Sequence, residues 1–392
     1  MLRFMLKTLN YVKFASFDPS PVHRLHFLQF SLFSSSAVAA AKIHKSESRN
    51  ANGNSSAAAD YLIKFFGFSR ERALRASEKI NFRGTEIPES IIAFFKKHGF
   101  SDAQISLVVR KTPVVFQLKP ERNLLPKIQF FHSLGISVPD TAKIISSSRS
   151  MLVRSLENQI IPSFEFIKSF LKSNEDAIDV IKQCPSVLEM NVQSIMASNV
   201  ASLLNAGVPE VKIASAFKTN PRLLVMSPDK LRMCTERIKE MGFDPCRANF
   251  LTGIYVMRKP TSSNWHRKME VYKKWGYSEA QVLAAFRRFP WCMGASEDKI
   301  NRALDYVINK MCDPLVFHSV PQIVSLSLEK TIIPRCSVCQ VLKSRGLLRQ
   351  NTSWIGVLII SKKSFFEQFV LSFADEIPEL LELYPQRLHP SK

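Results

Sequence analysis

The apolar positions of this chain fall into a pattern that recurs along it. A proline, or the residue in its place, is followed two and three positions on by an apolar doublet: Val115–Phe116 after Pro113, Met151–Leu152 after Arg149, Val187–Leu188 after Pro185, Leu223–Leu224 after Pro221, Cys292–Met293 after Pro290 and Ile323–Val324 after Pro321. The first four anchors, Pro113, Arg149, Pro185 and Pro221, stand 36 residues apart. Polar positions keep the same phase. Six residues after the anchor come Ser155, Asn191, Ser227, Ser296 and Ser327, with Lys119 the exception, and eight after it come Glu121, Glu157, Gln193, Asp229, Asp298 and Glu329. This is a helix N-cap with an acid or acceptor in the first turn, where free N–H groups and the helix dipole favour it. Gly99, Gly135, Gly207 and Gly276 precede Pro113, Arg149, Pro221 and Pro290 by a constant interval and read as helix C-caps.

One repeat is therefore predicted to be a helix between the Gly and the Pro, a short turn whose doublet enters the core, and a second helix from the Ser or Asn cap. The proline ends the first helix because it lacks an N–H and clashes with the preceding turn. A repeat of this size cannot bury its apolar face alone, so neighbours must stack. The fold class is all-α: a right- or left-handed superhelical solenoid of repeated helix pairs with short proline-marked turns. The spacing departs from the rule in places. Arg149 replaces an anchor proline, Pro221 to Pro260 is a step of 39 with no cap at His266, and Pro290 to Pro321 is a step of 31. These steps leave the helix register between about residues 240 and 320 unassigned by the sequence.

Period alone would also suit tetratricopeptide and pentatricopeptide arrays. The proline-and-doublet repeat narrows the choice, together with the segments SLENQIIP (Ser155–Pro162), FPWCMGASEDKI (Phe289–Ile300) and IIPR (Ile332–Arg335). At these residues the chain resembles the mitochondrial transcription termination factor (mTERF) family in its plant form, over roughly Tyr61 to Pro385. The resemblance implies a superhelix with a basic groove that binds nucleic acid without catalysis and acts in organelle gene expression. Binding of double-stranded DNA would regulate transcription termination or initiation. The alternative is an RNA-binding factor for intron splicing or ribosomal RNA maturation, and a helical-repeat protein–protein scaffold is the alternative of another class.

Charge strengthens the nucleic-acid reading. The formal net charge is +21 with a pI near 9.8, and self-repulsion of that size favours a polyanionic partner. The cations also keep phase. Arg110, Lys182, Lys218 and Arg287 stand three positions before their anchors, and Arg122, Lys230, Lys299 and Lys330 stand nine after. Lys111, Arg222, Arg258, Lys259, Arg288 and Arg335 lie beside them. A row repeated once per helix pair can track a phosphate backbone, so these are the candidate nucleic-acid-binding residues. Trp265, Trp275 and Trp291 are candidates for stacking on bases if the target is RNA or a single strand.

Other chemistry finds no support in the sequence. It contains no GxxxxGK[ST], GxGxxG, HExxH or GxSxG, so no catalytic residue, cofactor or small-molecule substrate is assigned. Seven scattered cysteines suit reduced thiols, and the single CxxC at Cys336 and Cys339 lacks two further zinc ligands. The apolar run Trp354–Ile360 is far short of the roughly 20 residues of a membrane span. The expected partner is organellar DNA and/or RNA, bound by a monomer.

Residues 1–45 hold six Lys and Arg against Asp18 alone, with apolar residues among them and a Ser-rich run from Ser31 to Ser36. That composition suits an organellar transit peptide, mitochondrial in preference to chloroplast. The expected organisation is a transit peptide over 1–45, a flexible linker over 46–60, the helical array over 61–385 and a C-terminal tail over 386–392. A fluorescent reporter carrying residues 1–60 should accumulate in an organelle; a diffuse cytosolic signal would refute the presequence.

Overall fold

In the computed structural model, the described residues are 51–384 other than 81, 83, 259–260, 311–315 and 349–353. They form helices joined by short turns, with no strand among them. The segments read as transit peptide and C-terminal tail lie outside the described residues. The chain divides into two compact halves, Met1–Val192 and Gln193–Lys392.

The doublets explain the repeat. After each anchor the chain makes a short 3-10 turn, as at Pro113–Gln117, Pro185–Glu189, Pro290–Gly294 and Pro321–Ser325. Every doublet residue in these turns and in those after Arg149 and Pro221 is buried, at 4% exposure or less. Arg149 is tolerated in place of proline because side chains hold its turn: the Ser148 hydroxyl accepts from Met151 N at 3.0 Å, and the Glu189 carboxylate accepts from Ser148 and Ser150. The predicted caps form at Ser155, Ser296 and Ser327, each accepting from the backbone N–H three residues on. Ser227 departs from the expectation. Its side chain makes no cap bond, and Pro228 sets the entry to that helix through its fixed φ. Gly99, Gly135, Gly207 and Gly276 take left-handed φ values of 81°, 77°, 92° and 84°, as a C-cap requires.

In the N-terminal half the first helices Asp102–Lys111, Val138–Ser147 and Asn174–Gln183 pack side by side in order. In the C-terminal half the corresponding row is Glu210–Thr219, Ala248–Met257, Glu279–Arg288 and Val316–Ser319. The linker expectation needs correction over residues 51–60. The helix Ala51–Phe66 begins inside it and buries Ala58, Ala59 and Leu62. Its Tyr61 ring stands edge-on to Phe116 of the first doublet, at a centroid distance of 6.2 Å. Asn52, Gly53, Asn54, Ser55 and Ser56 suggested a linker, whereas Ala57, Ala58 and Ala59 are good helix formers.

A second set of residues, invisible to apolar patterning, ties successive repeats together. Lys127, Ser163, Asn199, Thr235 and Arg335 share one offset from Pro113, Arg149, Pro185, Pro221 and Pro321, and all are buried polar side chains. Lys127 Nζ donates to Leu152 O at 2.7 Å, Asn199 Nδ2 to Leu224 O at 3.1 Å, Lys268 Nζ to Met293 O at 2.8 Å and Arg335 Nη1 to Ile360 O at 2.8 Å. In each case the acceptor lies 25 residues further along the chain. The first three acceptors belong to the second doublet residue of the next repeat. Ser163 Oγ donates instead to Met190 O at 3.1 Å, 27 residues on, as Asn199 Nδ2 also does to Met226 O at 2.8 Å.

This bond also places the register change. Lys268 keeps the shared offset from position 254, which is itself one full period before Pro290, so the anchor slot of that repeat is Ile254 and not Pro260. Val256 and Met257, two and three residues on, are the buried doublet. The helix Ala248–Met257 runs through the slot, so no open turn faces Thr235, and its buried hydroxyl has no hydrogen-bond partner among the described residues.

Replacing Asn199 by Leu removes the donor while leaving buried carbonyls unpaired, so the unfolding free energy should drop by about 1–3 kcal/mol. Urea unfolding monitored by circular dichroism reads this directly, and an unchanged midpoint would count against the role given to Asn199.

Candidate nucleic-acid interface

The predicted cations separate into two groups once their partners are known. Lys111 and Arg288, two residues before their anchors, cap the next first helix. Lys111 Nζ donates to Ser146 O and Ser147 O at 2.8 Å each, and Arg288 Nη1 to His318 O at 2.8 Å and Ser319 O at 3.1 Å. These are the last carbonyls of a helix, where free acceptors and the dipole favour a cation. Burial lowers the Lys111 pKa, and the nearby Arg149 charge lowers it further.

Four more candidates are engaged by the protein. Lys182 Nζ pairs with Asp140 at 2.8 Å, and that bond is the main reason the Asp140 carboxyl titrates below its ordinary range. Arg287 Nη1 donates to Met241 O at 3.1 Å, and Lys299 Nζ to Ser325 O at 2.6 Å. The Arg258 guanidinium lies over the Tyr255 ring, 4.3 Å from its centroid. Lys259 lies outside the described residues.

Arg335 must be withdrawn from the candidate interface. It is 2% exposed, and its Nη1 donates to the carbonyls of Val357, Leu358 and Ile360 while its guanidinium packs over Phe365 at 4.8 Å. No carboxylate pairs with it among the described residues, so carbonyl dipoles and an aromatic face hold the charge. Sequence phase alone could not separate it from surface cations, because the offset it shares with Lys127 and Asn199 acquires a meaning only from the hydrogen bonds.

The second group faces solvent. Arg110, Arg122, Arg222, Lys230 and Lys330 are exposed, and none of their side chains makes an ion pair or hydrogen bond with the described residues. Lys218 is also exposed. These residues cluster by topology. The last turn of a first helix and the first turn of a second helix meet at the proline turn, so Arg110 and Arg122 flank the Pro113 turn, and Lys218, Arg222 and Lys230 flank the Pro221 turn. The same rule identifies cations that sequence phase missed: Lys119 at the Pro113 turn, and Arg149 and Arg154 at the turn after position 149, all exposed. Acids share these edges. Asp229 is paired laterally with Arg232 at 3.6 Å and Glu329 with Arg302, whereas Glu121 and Glu157 are exposed beside the first two turns.

Of the three tryptophans, Trp265 is 5% exposed and Trp275 spends its indole N–H on Asn301 Oδ1 at 2.9 Å, while Trp291 is 40% exposed. The six described cysteines are unpaired. Burial pushes the Cys336 and Cys339 thiols up to about 12, and no group of His, Cys, Asp and Glu among the described residues is arranged to hold a metal ion. No described helix is long and apolar enough to cross a membrane.

These features define a class: an all-α array of helix pairs whose proline turns plug a common core and carry exposed cations at their edges. The mTERF family model matches residues 92–262 and 254–366, and the chain belongs to that family. The two matched stretches overlap at the register change. Among proteins of Arabidopsis thaliana, the chain is similar to the chloroplastic transcription termination factor MTERF8, at 21% identity over 78% of this chain and 60% of that protein. It is also similar to the mitochondrial transcription termination factor MTERF15, at 21% identity over 66% of this chain and 57% of that protein. The chain thus spans about 60% of the length of these relatives.

Replacing Arg335 by Met removes a charged donor to three carbonyls and should lower stability by about 1.5–3 kcal/mol. The folded variant should keep the salt dependence of nucleic-acid binding. A reduced dependence in thermally intact protein would return Arg335 to the interface.

Proposed function

We propose that the chain is a non-catalytic nucleic-acid-binding protein that regulates organellar transcription by holding double-stranded DNA through its phosphates. The observation that carries this reading is the recurrence of exposed cations at the proline-turn edges of both halves, Arg110, Arg122, Arg222, Lys230 and Lys330 among them. Occupancy is the mechanism. A bound array stands in the path of a polymerase, and phosphate contacts give it affinity and position without requiring any reacting group. The relatives named as transcription termination factors support a role in transcription, and their names place one in chloroplasts and the other in mitochondria. For this chain the basic presequence favours the mitochondrion. Action on RNA, in splicing or ribosomal RNA maturation, is the second reading, and the exposure of Trp291 favours it.

The test is the salt dependence of binding. Changing Arg110, Arg122, Arg222 and Lys230 to Gln should weaken binding to all sequences alike, and the slope of log affinity against log salt should shrink by roughly 0.7–0.9 for each phosphate that is no longer neutralised. Gln at Lys168, Lys172, Lys239 and Lys273 keeps the charge change equal but lies away from the turns. An equal weakening in this control set would reduce the turn edges to a diffuse field. Tight salt-insensitive capture of a protein, with no nucleic acid bound, would support the scaffold instead.

A further inference from the structure

The repeat with its anchor slot at Ile254 contains a cavity of about 300 Å³, lined among others by Tyr255, Thr261, Asn264, Lys268, Trp291 and Gly294. Its walls are aromatic. The Tyr255 and Trp291 rings lie 5.6 Å apart between centroids at 60°, and Arg258 covers Tyr255 at 4.3 Å. Its polar groups are underused. The Trp291 indole N–H and the Asn264 side-chain amide make no hydrogen bond among the described residues, and Lys268 donates to Met293 O with one of three available protons. Arg258 Nε and Nη2 are buried and likewise without a partner among the described residues.

A tryptophan with a glycine three residues on occurs in one turn. Where Trp291 follows Pro290, the other repeats carry Val114, Ser150, Ser186, Arg222, Tyr255 and Gln322. Where Gly294 stands, the others carry Gln117, Val153, Glu189, Val225, Arg258 and Ser325. A Cβ on Gly294 would lie 3.2 Å from Trp291 Cε3, so the glycine lets the indole lie against the backbone and keeps the cavity open.

We propose that this cavity binds one unpaired nucleobase of a single-stranded nucleic acid, stacked on Trp291 with its edge toward Asn264 and its phosphate toward Lys268 and Arg258. A flat aromatic ring with donors and acceptors on its rim matches an aromatic wall beside free amide groups, and the neighbouring cations match the attached phosphate. The cavity is at the small end of ligand sites, which suits a base and not a folded partner. A base held in a duplex must first be unstacked and unpaired, which costs free energy, whereas an unpaired base enters without that cost. The inference rests on the nucleic-acid reading above and adds the strand state that one segment of the target must have.

The full chain is titrated with fluorescently labelled oligouridine, oligodeoxythymidine and a mixed duplex, each with wild type, Trp291→Ala, Trp291→Phe, Gly294→Val and Lys230→Gln. Trp291→Ala should weaken single-strand binding by about five- to 150-fold, the range expected for one stacked base, and leave duplex binding unchanged. Trp291→Phe should recover part of the affinity, and Gly294→Val should reproduce the Trp291→Ala defect by filling the cavity. Lys230→Gln should weaken all three ligands through phosphate contact. The two single-strand arms separate an RNA site from one indifferent to the sugar. Unchanged single-strand affinity in Trp291→Ala, or equal weakening on the duplex, overturns the base site while leaving phosphate binding intact. Absence of binding to every nucleic acid by the wild type overturns both proposals.

Discussion

The structure depends on what happens to the carbonyls of the proline turns. An apolar doublet enters the core only if the backbone carrying it is also buried, and a buried carbonyl without a donor costs as much as the doublet's packing can return. The preceding repeat supplies the donor, from a buried Lys, Ser, Asn or Arg at a fixed offset after its own anchor. The bond fixes two things together. It sets how far one repeat is offset from the next, and it makes each repeat incomplete without its neighbour, which is the physical content of a solenoid.

The same demand occupies some of the cations of the chain. Lys111, Lys127, Lys268, Arg288, Lys299 and Arg335 all donate to main-chain carbonyls at helix ends or turns. Long cationic side chains suit that task, because they carry several donors on an apolar stem that packs in the core. Net charge therefore overstates what a polyanion can meet. The available cations are those left over at the turn edges, where a first helix ends and a second begins.

The register change between Pro221 and Pro290 is where the array departs from its rule and where its aromatic cavity lies. A helix continues through the slot at Ile254, and Trp291 of the following turn lines the cavity beside it. The two stretches matched by the family model meet at the same place, over residues 254–262. A local conflict with the repeat thus coincides with the proposed base site, where Arg258 Nε and Nη2 have no partner among the described residues.

The sequence by itself determined the helix pairs, the buried doublets and the caps at Ser155, Ser296 and Ser327, because each follows from local chemistry: a missing N–H at proline, a hydroxyl before a helix, a left-handed glycine after one. Periodicity then carried these signals across the chain, and Val115, Leu188 and Ile323 are buried as their phase requires. The helical nature of residues 51–60 was missed because their Gly, Asn and Ser suggest a linker, and the packing of this helix against Phe116 is tertiary. Only the tertiary structure decided which cations are free. Lys182 and Arg110 occupy the same phase, yet Asp140, 42 residues before Lys182, takes one of them while no described acid reaches the other. Arg335 and Arg222 are chemically identical in sequence, and one lies in the core while the other faces water. A side chain's charge is local, but its availability depends on what the fold brings against it.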